Sequence, residues 1–199
     1  MKRISMIMGL LSVVLLFSTR AVAQDNDVRE SAFYFGTGYT YTQSNLNGVT
    51  GMIGGIISNH DLQVSYTYGL SATPKVYWYD SKGNVESALT YKRNSIEMKY
   101  GYQIRLAQGL ALTPQLGMTY EQLAAKQEMG KQEFGKNANA WCASAGMKLY
   151  YSPVDHVAIF VSPEYKIPVR KDIYYEDIMK TTDKDEGGFA LHAGLLFCF

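Results

Sequence analysis

The chain closes on G-G-F-A-L-H-A-G-L-L-F-C-F, Gly187 to Phe199. In an extended strand successive side chains point to opposite faces. Phe189, Leu191, Ala193, Leu195, Phe197 and Phe199 therefore share one face, and Gly188, Ala190, His192, Gly194, Leu196 and Cys198 share the other. One face is apolar and ends on a terminal aromatic. The other is mostly small, with one ionisable group.

The same period recurs upstream. Ser31–Tyr41, Gly48–Ile57, Leu62–Leu70, Ser95–Leu106, Leu110–Glu121, Ala140–Tyr151 and Val157–Ile167 each set large apolar residues against small or polar ones. With the closing segment these make eight strands, and nothing after residue 30 has helical periodicity. Gly48–Ile57, rich in glycine, is the least marked. Pro114 and Pro163 sit inside two of the strands, where a missing N–H is normally confined to edges, strand starts or bulges, so bulges or rim positions are expected there.

Connections alternate in length. Tight turns are expected at Ser58-Asn59-His60-Asp61, Ala107-Gln108-Gly109 and Ser152-Pro153-Val154-Asp155. Longer connections cover Thr42–Asn47, Ser71–Asn94, Gln122–Asn139 and Pro168–Glu186. Short turns at one end and long loops at the other are the pattern of membrane-spanning barrels.

Volume decides which face points in. An eight-stranded barrel is just wide enough inside for side chains to fill. The face carrying repeated Tyr, Phe, Leu, Ile, Met and Trp would overfill it; the face of Gly, Ser, Thr, Ala and Gln fits. The fold class expected is all-β, an eight-stranded antiparallel up-and-down transmembrane β-barrel with its apolar face outward. Charges on the small face then enter the lumen: Glu97, Lys99, Arg105, Glu121, Lys148 and Glu164, together with Lys166 and His192. They carry both signs and are expected to pair there, closing the lumen to ions.

The start of the chain reads as a cleaved signal peptide over residues 1–23: Lys2 and Arg3, an apolar run from Ile4 to Phe17, and a small-x-small site at Ala21-Val22-Ala23. Its removal takes three bases and no acid, leaving 16 basic against 18 acidic residues, a net charge of −2. That balance argues against nucleic acid as a partner. Residues 24–199 are expected to form one domain.

Signal peptide, alternation, turn asymmetry and terminal Phe together resemble the eight-stranded outer-membrane barrel families, such as the OmpA transmembrane domain and OmpX. With no appended periplasmic domain expected after Phe199, the barrel-only form is the nearer likeness. The resemblance implies a bacterial outer-membrane location, contact with outer-membrane lipid and lipopolysaccharide, and a barrel-assembly machinery that reads Phe199 as an insertion signal. It implies no cofactor and no metal.

Lys75–Asp80 and Val85–Tyr91 flank Ser81-Lys82-Gly83-Asn84 and read as a hairpin with a glycine turn, so the long connection is expected to continue its strands beyond the membrane; Trp78 and Tyr79 near its tip are candidate outer-loop contact residues. The repeat K-Q-E-M-G/K-Q-E-F-G at 126–135 reads as a solvated loop or a strand extension, and the charged stretch 168–186 as a solvated loop, where Asp183, Asp185 and Glu186 lack the register of a calcium loop. Cys142 and Cys198 are expected at opposite ends of the lumen, too far apart for a disulfide. The leading expectation is a non-enzymatic outer-membrane protein with a structural or surface-interaction role. A lipid A-modifying enzyme built on His192 with Ser144 or Ser162, and a narrow pore, are the alternatives.

Overall fold

A computed structural model describes residues 31–43, 46–70, 76–79, 81, 85–129, 132–172 and 188–199. The expected signal peptide and the acidic trio Asp183, Asp185 and Glu186 lie outside them. The strands are β1 (Ser31–Thr42), β2 (Gly48–Ile57), β3 (His60–Gly69), β4 (Val76–Tyr79), β5 (Val85–Tyr102), β6 (Ile104–Ala107), β7 (Leu110–Met129), β8 (Gln132–Val154), β9 (Val157–Lys171) and β10 (Gly188–Cys198). Eight of them form the wall. All neighbours are antiparallel, from β5 through β3, β2, β1, β10, β9 and β8 to β7, and β7 pairs back onto β5 to close the barrel. The two short strands prolong the wall: β4 runs along the far end of β5, and β6 continues β5 beside β7.

The β1–β10 seam brings the two ends of the wall together, from Tyr34 opposite Cys198 to Thr42 opposite Ala190. Phe199 completes it. Its N–H donates to the Phe33 carbonyl at 2.9 Å, and its ring stacks on Phe35 with centroids 5.6 Å apart.

All three tight turns narrow to two residues. Ser58 and Asn59 both have positive φ, 48° and 70°, the signature of a type I′ hairpin. Gln108-Gly109 and Asp155-His156 close the other two. His60 and Asp61, expected in a turn, belong instead to β3, which carries Asp61 into the lumen.

Neither proline makes a bulge. Pro163 pairs in register with Leu191, and the β8–β9 ladder skips Met147 and Lys148 opposite it before resuming at the same register. Pro114 pairs with Met147. On its other side the β5 ladder stops at Gly101–Gln115 and restarts in β6 at Ile104–Leu112. A residue without an N–H interrupts one edge of its strand without shifting the register. The Gln103 N–H, displaced from the ladder, donates to the Asn59 carbonyl at 2.7 Å.

The glycines of β2 have a packing cause. A Cβ at Gly54 would stand 2.4 Å from the Tyr34 ring and 2.6 Å from the Leu62 carbonyl, whereas one at Gly51 would meet nothing within 4 Å. Gly54→Ala is therefore expected to lower unfolding stability by about 1–3 kcal/mol, and Gly51→Ala to leave it nearly unchanged. Urea titration of the refolded barrel in lipid vesicles checks the contrast; equal effects would contradict it.

Candidate functional site

Inside the barrel the polar side chains form two linked layers. In the upper one Lys99 and Lys166 lie between two carboxylates. Lys99 Nζ is 2.5 Å from Glu164 and 2.9 Å from Glu97; Lys166 Nζ is 3.1 Å from Glu164 and 3.2 Å from Glu97. Glu121 meets Arg93 at 3.5 Å and Lys166 at 4.0 Å. Thr119 donates its hydroxyl to Glu97. Three carboxylates thus face three cations.

A chain of hydroxyls leads out of this layer along the wall. Glu164 Oε1 is 2.7 Å from His192 Nε2, and His192 Nδ1 is 2.8 Å from Thr40. Thr40 bonds Thr50, and Thr50 bonds Thr67 at 2.7 Å. With the Nε2 proton given to the carboxylate, Nδ1 accepts from Thr40. Thr40 then accepts from Thr50, and Thr50 from Thr67. Four donors on four adjacent strands, β3, β2, β1 and β10, thus point the same way round, toward Glu164 on β9.

The lower layer is built on Asp61. It receives Lys148 at 2.5 Å, the Tyr34 hydroxyl at 2.6 Å and the Gln115 amide at 3.3 Å. Lys148 also donates to Tyr34 and to Gln63, each at 3.1 Å. Below it the lumen turns apolar. Tyr34, Met52, Ala158, Phe160 and Leu196 form a buried cluster, with Ile56, Tyr150 and Cys198 packed against it. At the opposite end Leu46 and Leu123 are buried, and the Leu46 carbonyl accepts from Arg93 at 3.3 Å.

Of the residues expected in the lumen, Glu97, Lys99, Glu121, Lys148, Glu164 and His192 are all buried and brought together in these layers. Arg105 is not among them. It lies on β6, past the interruption opposite Pro114, where it is exposed and takes no part in these ion pairs. Its place is taken by Arg93, which falls in an expected loop. Sequence reasoning also misses Asp61, Tyr34, Gln63 and Gln115. Asp61 is hidden by an expected turn two residues longer than the real one. Tyr34, Gln63 and Gln115 are on the correct face but carry no charge to mark them. The side chains of Trp78 and Tyr79 lie outside the described residues; their backbone forms β4. Cys142 and Cys198 are not bonded to each other.

Glu97, Glu164 and His192 bring three donor atoms within 4.8 Å, a metal-like grouping. Lys99 and Lys166 already supply the cations to both carboxylates, so the donor set does not fit a metal. The order hydroxyl, imidazole, carboxylate in Thr40, His192 and Glu164 is also that of a nucleophile with its base. Thr40 is 2 % exposed and its hydroxyl is engaged by Thr50, so the group is enclosed in the plug. His192 faces Ser162 across the strands, yet it bonds Thr40, and Ser144 lies opposite Lys166.

The outside is the reverse of the inside. Phe33, Ile53, Leu62, Met98, Leu116 and Ile159 are each at least half exposed. Tyr39, Tyr68, Tyr120 and Trp141 lie toward the long-loop end of this belt, and Tyr100, Tyr102 and Tyr151 toward the other. Such a face is stable against hydrocarbon, with aromatics at its two boundaries. No family model matches the sequence, and no curated protein matches it. Among solved structures the chain is similar to a major outer membrane protein from Thermus thermophilus, with a TM-score of 0.67 at 11% identity over 85% of this chain and 99% of that one. The fold is that of an outer-membrane β-barrel. Ail, the attachment invasion locus protein of Yersinia pestis, is similar at a TM-score of 0.50 and 14% identity, over 85% of this chain and 97% of that one.

Removing one partner of the Asp61–Lys148 pair strands a buried charge. Lys148→Met alone is expected to cost about 3–5 kcal/mol, as is Asp61→Asn alone, while the double variant loses much less than the sum. A double-mutant cycle from urea titrations measures the coupling; additive losses would contradict it.

Proposed function

We propose that this chain is a non-enzymatic integral protein of the bacterial outer membrane that carries a contact surface above the bilayer. The observation that supports this reading is the unequal height of the wall. Strands β1, β2, β3 and β10 have 12, 10, 10 and 11 residues, close to the roughly 9–11 that a bilayer needs. Strands β5, β7 and β8 have 18, 20 and 23. Their extra length lies at the long-loop end, where β4, β5, β7 and β8 form a four-stranded sheet. The described residues of the repeat at 126–135 are part of it, as its reading as a strand extension expects: Lys126 stands opposite Gly135 and Met129 opposite Gln132.

A lumen filled by balanced ion pairs and closed below by an apolar cluster supports an anchor over a channel. The same closure argues against the enzyme alternative, since the hydroxyl beside His192 is buried within it. The partners this reading implies are outer-membrane lipid, including lipopolysaccharide, and the assembly machinery, to which Phe199 stands exposed at the end of the seam.

An epitope inserted between Gly130 and Lys131 should be labelled on intact cells; labelling only after permeabilisation would contradict the reading. In planar bilayers the purified barrel should show no conductance of porin size, and steady open-channel currents would revive the pore.

A further inference from the structure

Of the three histidines only His192 lies in the lumen; His60 and His156 are exposed at the short-turn end. His192 spans the seam of the barrel. Its Nε2 is bonded to Glu164 of β9, and its Nδ1 to Thr40 of β1, the strand that β10 joins to close the wall.

The charges around the ring are already matched. β9 supplies Glu164 and Lys166, β5 supplies Arg93, Glu97 and Lys99, and β7 supplies Glu121, three of each sign. In the lower layer Lys148 of β8 and Asp61 of β3 cancel each other. β1 and β2 offer hydroxyls, Thr40 at the ring and Thr50 behind it, and β8 adds the buried Cys142 thiol. Glu164, the carboxylate beside the ring, already holds Lys99 at 2.5 Å and Lys166 at 3.1 Å. A proton taken up by His192 would therefore be a fourth positive charge against three carboxylates, in a lumen that solvates an unbalanced ion poorly.

The hydrogen bonds oppose that proton as well. While the ring is neutral, Nε2–H donates and Nδ1 accepts, and Thr40, Thr50 and Thr67 all donate toward it. An imidazolium has two N–H groups and accepts nothing. Its Nδ1–H would meet the Thr40 proton head on. Relief requires that all three hydroxyls reverse, or that β10 draw away from β1.

We propose that His192 is an acid-sensitive latch on the β1–β10 seam. Neutral, it ties β9, β10 and β1 together through the hydroxyl chain. Protonated, it carries a charge that the closed plug does not balance, and the seam parts. The unfolded chain charges this imidazole below about pH 6.5, whereas the closed barrel resists the proton. Acid thus favours the open form: the stability that the latch contributes is present in full above that pH and is lost as pH falls below it.

Urea unfolding of the barrel in lipid vesicles tests this, with the unaltered mature chain beside His192→Gln. The glutamine carboxamide gives one bond and takes one, as the neutral ring does, but gains no charge. A histidine that titrates only in the unfolded chain raises the unfolding constant roughly thirtyfold between about pH 7.5 and about pH 5. The rise for the unaltered chain should exceed the rise for His192→Gln by about that factor. Equal rises, or a larger one for the variant, would overturn the proposal. If His192→Gln does not insert, nitrogen NMR of the unaltered barrel decides the matter. With the His60 and His156 signals identified by substitution, the third imidazole should keep one unprotonated nitrogen for as long as the acidified barrel stays closed. A doubly protonated ring in a closed barrel would overturn the latch.

Discussion

Charge balance inside a lumen too narrow for bulk water governs this structure. An unpaired ion there would cost several kcal/mol even after relaxation. The barrel avoids this by matching Arg93, Lys99 and Lys166 to Glu97, Glu121 and Glu164, and Lys148 to Asp61. These residues come from five neighbouring strands, β3, β5, β7, β8 and β9, and the pairs Lys99–Glu164, Lys166–Glu97 and Lys148–Asp61 each tie strands three apart across the lumen. Side-chain size follows from the same filling: Gly54 on the inner surface gives the Tyr34 ring its place.

The wall solves a different problem at each height. Within the bilayer, hydrocarbon requires that backbone groups pair and that the outer face be apolar. Above it neither an apolar face nor a closed cylinder is required. The wall then continues on one side only, as a sheet whose described outer positions, such as Gln122, Lys126 and Asn137, are polar.

That change of solvent explains what the sequence reveals. Alternation is plain in Leu62–Leu70 and Ser95–Tyr102, where lipid lies on one side and a polar plug on the other. It is lost in Val85–Asn94, where the Ser81-Lys82-Gly83-Asn84 turn rather than alternation marks a hairpin, and in Gln122–Asn139, whose described outer positions are polar and which therefore reads as a loop or a strand extension. It also vanishes in Val157–Val161, because the lower lumen is itself apolar: Ala158 and Phe160 point in, Ile159 points out, and the run is apolar throughout. In the lumen, charge on the small face locates most of the network. Arg105 keeps the inward parity, in register with the buried Ala111, but it lies beyond the plug at the end of the wall, where it is exposed. Arg93 and Asp61 escape because the strand ends extend beyond the alternating stretches.

The seam carries a consequence for how the chain reaches this state. Phe33 and Phe199 are hydrogen-bonded neighbours at opposite ends of the described sequence, and contacts of such separation form late because a long loop must close first. Thr40 and His192 flank that same seam. Until it zips, the hydroxyl chain is cut between them. Closure of the cylinder and completion of the plug are thus a single cooperative event, and the interior cannot be fully satisfied in any barrel that is still open.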